Sequence, residues 1–304
     1  MLAMKTSNGL NIIKLDGDYY VIGKVWHEVY PCKYEVVTDF IEGASRVRLN
    51  GKYGFIDETR REICPCKYDN VASFYEGLAK VKLNNKWGYI DKTGKEVIPC
   101  KYDSAYAFSG GVALVRLNGK WGFIDTTGRE LCHCKYDWAC SLSEGLAQVG
   151  LNNKFGYIDK TGREVIPCKY VWTSDFSDGL AIVKLNGKWG YVDKSGKEVI
   201  PLKYDAVSPF DNGLSRVELN WKCGCIDKVG NEVIPLVFDF LSISSTLIVI
   251  TLGCKLGVIN HNGDYILPCE YDDIEVLDER IIAIKSDTKY EFSLSGDFVK
   301  ILND

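Results

Sequence analysis

The sequence predicts an all-β protein made of tandem three-stranded meanders, and three observations carry that prediction. A unit written most fully from Val81 to Gly111 recurs along the chain with a step of 34 residues. Its glycine falls at Gly54, Gly88, Gly122, Gly156, Gly190 and Gly224, each 34 residues after the last, and then at Gly257 after a step of 33. Within each unit apolar and polar residues alternate, as in Ala79, Val81 and Leu83 against Lys80, Lys82 and Asn84, which is the period of a strand and not of a helix. That alternation excludes the helical hairpin that shares this repeat length.

Each element of the unit has its own signal. The first two strands meet at Asn50-Gly51, Asn84-Asn85, Asn118-Gly119, Asn152-Asn153 or Asn186-Gly187, residues that accept the positive φ of a tight hairpin turn at least cost. The second turn reads D-x-[TS]-G, at Asp91, Asp125, Asp159 and Asp193, and suits a bulged hairpin whose glycine takes the left-handed position. The third strand, beginning Glu96-Val97-Ile98, meets Pro99, which ends the strand or lies at a sheet edge. A loop containing K-Y-D leads to the next unit.

With Asn84 and Asn85 as turn residues, Leu83 faces Lys86, Lys82 faces Trp87, Val81 faces Gly88 and Lys80 faces Tyr89. One face then carries Ala79, Val81, Leu83, Gly88 and Ile90, and the other carries Trp87 and Tyr89 beside lysine stems. Both faces hold apolar material, so neighbouring units must cover each other.

At 46% hydrophobic and 12% aromatic residues the chain has the material for a core. Its 37 Lys and Arg against 41 Asp and Glu are dispersed by the repeat, which steers it toward neither nucleic acid nor anionic lipid. The apolar run Leu247 to Leu252 has strand length, and MLAMKTSNGLNIIK lacks a secretory h-region, so the expected location is cytoplasmic. Of 12 cysteines, Cys32, Cys66, Cys100, Cys134 and Cys168 share one column in which Leu202 and Leu236 follow. Leucine as the substitute makes the column a packing position.

The run Lys86-Trp87-Gly88-Tyr89-Ile90-Asp91, followed by Thr93-Gly94-Lys95-Glu96 and Pro99, resembles the WG-repeat (KWG-repeat) proteins of bacteria. The resemblance covers about residues 10 to 300 and decays at Asp18-Tyr19-Tyr20, Lys222-Cys223-Gly224, Lys255-Leu256-Gly257 and Lys289-Tyr290-Glu291. It implies a β-repeat fold, an accessory or interaction role, and no shared catalytic residue. Residues 1–304 are accordingly read as one array of about eight to nine units, with degenerate end units at about 9–43 and 247–304. An open superhelical array is expected, with a closed β-propeller as the alternative.

Candidate chemistry is sparse. Cys64-Pro65-Cys66, Cys132-His133-Cys134 and Cys223-Gly224-Cys225 pair thiols on one strand face, but no C-x-x-C pair supports a structural zinc site, and no metal or cofactor is expected. His27, His133 and His261 occupy different columns, so no catalytic constellation is expected. The recurring Asp91, Asp125, Asp159 and Asp193 are turn formers, and Trp87, Trp121 and Trp189 are read as core.

Function is expected where columns vary. After K-Y-D one column reads Asn70, Ser104, Trp138, Trp172, Ala206, with Tyr106 and Asp175 nearby. Trp138, Trp172, Tyr106 and Asp175 are therefore the candidate binding residues, with protein as the expected partner and no nucleic acid or membrane. A purely structural scaffold, and a carbohydrate binder or enzyme, are the competing readings.

Overall fold

The computed structural model describes residues 3–5, 11–15, 18–22 and 29–302, with side chains from residue 33 onward. Among the described residues there is no helix, and the strands form nine four-stranded sheets, each built from consecutive strands. We number the sheets along the chain, the third spanning 70–102, the fourth 104–136, the fifth 138–170, the sixth 172–204, the seventh 206–238 and the eighth 240–271. His27 and the side chains of Cys32 and Asp18-Tyr19-Tyr20 lie outside the described residues.

The third sheet serves as the pattern. Its strands are Asn70–Tyr75, Leu78–Leu83, Lys86–Asp91 and Glu96–Tyr102, paired antiparallel in that order. The hairpin register is the one read from the sequence: Leu83 opposite Lys86, Lys82 opposite Trp87, Val81 opposite Gly88 and Lys80 opposite Tyr89. Asn84 and Asn85 take φ of 50° and 63°, the left-handed conformation that Asn accepts and β-branched residues resist.

The structure adds a strand to the meander. What reads as a loop after K-Y-D begins with a short strand that pairs with the following hairpin: Ser104 and Ala105 lie opposite Arg116 and Val115, and Trp172 and Thr173 opposite Lys184 and Val183. The last strand does not stop at the proline. Glu96–Tyr102 runs through Pro99 as the outer strand of the sheet, with register shifts on either side of Tyr89↔Ile98. Those bulges draw the outer backbone over the repeat glycine, so that a Cβ on Gly88 would lie 2.5 Å from the Ile98 carbonyl oxygen and 2.7 Å from the Cys100 nitrogen. Only glycine fits beneath this crossing, which is the physical reason the column is glycine from Gly54 through Gly257.

The chain divides into two compact units, residues 1–168 and 169–304, the division falling within the strand Glu164–Tyr170. In the first unit Ala79, Val81 and Ile90 pack on Phe55, Cys64 and Tyr68 of the preceding sheet, while Tyr89 and Tyr102 pack on Ala105, Phe108 and Val115 of the next. In the second, Tyr191, Ile200 and Tyr204 pack on Val217 and Ile226, and Cys225, Ile234 and Phe238 on Leu241, Ile248 and Ile250. Each buried aliphatic or aromatic side chain contributes about 1.5–3 kcal/mol relative to exposure, so cohesion resides in the faces between sheets.

Polar columns bind the same joints. The K-Y-D aspartate receives the lysine that opens the K-W-G strand of its own unit, as in Lys86–Asp103 and Lys188–Asp205, both at 2.5 Å. It also accepts from the hairpin turn of the next sheet, through Gly119 N–H on Asp103 at 3.2 Å and Asn220 N–H on Asp205 at 2.8 Å. In the first unit Glu42 accepts from the N–H groups of Glu76 and Gly77, and Glu76 in turn from those of Gly110 and Gly111. This ladder rewards the positive φ that Glu42 and Glu76 adopt, 51° and 52°.

Candidate interaction edge

Across a sheet whose side chains are described, the register aligns four side chains on one face. In the sixth sheet the row is Trp172, Lys184, Trp189 and Tyr204. In the fourth it is Ser104, Arg116, Trp121 and Tyr136. The tyrosine at the end of the row is buried, and the variable residue at its beginning is exposed where aromatic: Trp138 at 41% and Trp172 at 43%.

The candidate aromatics stack on the row aromatics of their own sheets. Trp172 meets Trp189 edge-on at 5.1 Å between ring centroids, Trp138 meets Phe155 at 5.8 Å, and Tyr106, 49% exposed, meets Trp121 at 6.0 Å. Each pair is held with part of its surface open. Lys184 Nζ lies 4.6 Å from the Trp189 ring and Arg116 Cζ 5.5 Å from the Trp121 ring, the distance of a cation–π contact. In the fifth sheet the cation's place is taken by Gly150, where a Cβ would come within 3.0 Å of Phe155 and 3.3 Å of the Trp138 Cβ. Trp138 and Phe155 therefore form an aromatic pair with no cation across it in the row.

Trp87, Trp121 and Trp189, expected from the sequence to be core, pack against the cores but are half-buried. The buried rings are those one residue past the glycine, Tyr89, Phe123, Tyr157 and Tyr191, together with the K-Y-D tyrosines. The tryptophan sits beside the hairpin turn, one residue after the lysine that opens its strand, and packs against the core from that margin. Phe240, 51% exposed with Arg216 Cζ at 4.9 Å, extends the variable column into the eighth sheet. Its position 34 residues after Ala206 was the signal that could have found it.

Asp175 is placed apart from these rings. It is exposed and lines a cleft of about 200 Å3 with Leu180, Ile182, Tyr191, Pro209 and Phe210. The structure brings Tyr106 to Trp121, Trp138 to Phe155 and Trp172 to Trp189, and leaves Asp175 in a separate setting.

The remaining groups have structural duties. Asp91 accepts from Thr93 Oγ1 at 2.6 Å, Thr93 N–H at 2.9 Å and Lys95 N–H at 3.1 Å, and these bonds, the hydroxyl first, hold its carboxyl below the ordinary range. Asp125 and Asp193 repeat the arrangement with Thr127 and Ser195. Burial pushes the thiols of Cys64, Cys100 and Cys134 up to about 11 and that of Cys225 up to about 12, which keeps them protonated at neutral pH. The column thiols reach back to carbonyls, Cys100 to Val81 at 3.8 Å and Cys168 to Val149 at 3.6 Å. Among the described residues no three His, Cys, Asp or Glu side chains are grouped to hold a metal ion. His133 bonds Glu130 at 2.5 Å and His261 bonds the Ser244 carbonyl at 2.9 Å.

A family model described as WG containing repeat matches eight times, at residues 27–53, 53–87, 87–121, 121–155, 155–189, 189–223, 224–244 and 257–290. No curated protein is similar enough to count as a match. Among solved structures the chain is similar to a eukaryotic initiation factor, at 11% identity and TM-score 0.37 over 99% of this chain and 96% of that one. It is also similar to PorZ, a surface component of the type-IX secretion system of Porphyromonas gingivalis, at 9% identity and TM-score 0.30, over 99% of this chain and 52% of that one. The extracellular domain of a putative hybrid two-component system of B. thetaiotaomicron matches at 10% identity and TM-score 0.28, over 99% of this chain and 50% of that one. These likenesses are too distant to transfer any property. The family matches run through most of the length and keep the register of the sheets, and on them the chain belongs to the WG-repeat family.

Proposed function

We propose that this chain is a non-catalytic binding module that captures a protein partner along its exposed aromatic rows. The observation that supports this most is the division of labour between columns. Residues that recur are consumed by turns, strand crossings and faces between sheets, whereas the column holding Trp138 and Trp172 is free to vary and carries large aromatics in the open. Half-exposed tryptophans fixed by a neighbouring ring lose little conformational entropy on binding, which makes them effective interface anchors. Cations over several of the rings add a polar rim. The free thiols suit a reducing compartment, and we place the chain in the cytoplasm on that ground.

The test compares proteins retained by the wild-type chain and by Trp138→Ala/Trp172→Ala, both confirmed folded by circular dichroism. A partner retained by the first and lost by the second supports the reading. Identical retention by both refutes it.

A further inference from the structure

The seventh sheet exchanges two positions. Where the third, fourth and sixth units read N-N-K-W-G or N-G-K-W-G, it reads Asn220-Trp221-Lys222-Cys223-Gly224, so the row position holds buried Cys223 and a tryptophan stands at the hairpin tip. Trp221 is 85% exposed and takes φ of 64°, a conformation costly for a bulky side chain and natural to the glycine found there elsewhere. No hydrogen bond or ring contact of its indole offsets that strain among the described residues. The turn is nonetheless pinned, by Asn220 N–H on Asp205 at 2.8 Å and by Lys222 on Asp239 at 2.6 Å. Trp221 is an exposed apolar knob carried on a pinned turn.

The same compact unit carries a matching hole. The cleft of about 200 Å3 between the sixth and seventh sheets is walled by Leu180, Ile182, Tyr191, Pro209 and Phe210, with the polar Ser174, Asp175 and Ser177 completing its lining. Its counterpart 68 residues earlier, at Val112, Leu114, Phe123, Ser141 and Leu142, encloses about 30 Å3. A volume of about 30 Å3 is one water's share, whereas an apolar cavity of about 150 Å3 accepts benzene. The enlarged cleft therefore has the size and lining for an aromatic ring.

Knob and hole lie at opposite ends of their sheets. Leu180 pairs with Asp193 at the D-K-S-G turn, whereas Trp221 follows Leu219, which pairs with Lys222 at the other end. A contact joining them links two chains head to tail. A lipid surface is the weaker occupant, because the lysines at this end are committed to carboxylates in Lys188–Asp205, Lys222–Asp239 and Lys255–Asp272 and offer little to anionic headgroups.

We propose that Trp221 inserts into the cleft lined by Leu180, Ile182, Tyr191 and Phe210 of a second copy of this chain, giving head-to-tail self-association. Sedimentation velocity of the intact chain from about 1 µM to about 1 mM spans the relevant affinities. The expected result is a mass that climbs past the dimer with concentration. Trp221→Gly, which restores the favoured turn residue and so folds, stays monomeric, as does Leu180→Glu. Mixing the two variants yields a one-to-one heterodimer, since one retains the hole and the other the knob. The proposal is overturned by a wild-type chain that stays monomeric at about 1 mM. Self-association undiminished by Trp221→Gly overturns it, as does a mixture that fails to pair. Trp221-dependent binding to phosphatidylcholine–phosphatidylserine vesicles without self-association assigns the tip to lipid and overturns it too.

Discussion

Two equivalent tyrosines make opposite predictions for the loss of one oxygen. Tyr136 is buried and donates to Glu164 Oε1 at 3.0 Å, a carboxylate that also receives Lys135 at 2.9 Å. Tyr102, one unit earlier, is equally buried, yet its hydroxyl has no partner. The corresponding carboxylate, Glu130, bonds His133 at 2.5 Å, and the hydroxyls of Tyr68 and Tyr170, whose units keep proline at that place, are likewise without a partner. A hydrogen bond to a charged acceptor contributes about 1.5–3 kcal/mol, and the partial exposure of Glu164 places Tyr136→Phe near the lower end, at about 1–2 kcal/mol lost. Burying an unpartnered hydroxyl costs about 1–3 kcal/mol, so Tyr102→Phe is expected to be neutral or to stabilise by about 1 kcal/mol. Because repeats open locally, hydrogen exchange of the flanking strands is the assay of choice, with thermal melting beside it. At about 2–4 °C per kcal/mol the two melting points should separate by several degrees. Equal losses in the two variants would refute the argument and imply a bound water at Tyr102.

Further outcomes follow from the same geometry. Gly88→Ala forces a Cβ to within 2.5 Å of the Ile98 carbonyl oxygen and should cost about 3 kcal/mol in urea denaturation, the top of the overpacking range. The folded state lowers the carboxyl pKa of Asp91, Asp125, Asp193 and Glu164 from ordinary values of 3.8 and 4.5, so their contribution is complete above those values and is lost as pH falls through the folded ones. Acid titration should therefore leave stability flat near neutrality and erode it below pH 4.5. Buried thiols act in the opposite sense: raised from 9.0 to about 11 for Cys64, Cys100 and Cys134, they favour folding below pH 9 and lose that contribution as the unfolded thiols ionise above it.

Much of the scaffold was legible because its signals are local. Asn-Asn and Asn-Gly fixed the turn, the turn fixed the register, and the alternation placed Val81 and Ile90 on one face and Tyr89 on the other, as observed. The short first strand of most sheets escaped notice because two residues such as Ser104–Ala105 or Trp172–Thr173 carry no period. Pro99 marked the edge, but the crossing over Gly88 that lets the strand continue is a tertiary contact with no local signature. Exposure was the hardest property to read. Trp121 is half-buried and Trp138 exposed, a difference set by tertiary packing that neither residue's local sequence carries. Asp175, near Trp172 in sequence, faces a separate cleft.

The claim that recurring columns build the scaffold while the aromatic column stays free for binding is tested most directly by one set of stability measurements on single substitutions to alanine. Val81, Ile98 and Tyr102 are fully buried between sheets and should each lose about 2–5 kcal/mol. Trp138, Trp172 and Tyr106, 41%, 43% and 49% exposed, should lose less, about 1–2 kcal/mol, from one aromatic pair and the half of each ring that is covered. Losses as large at the second set as at the first would make those rings structural and contradict the account.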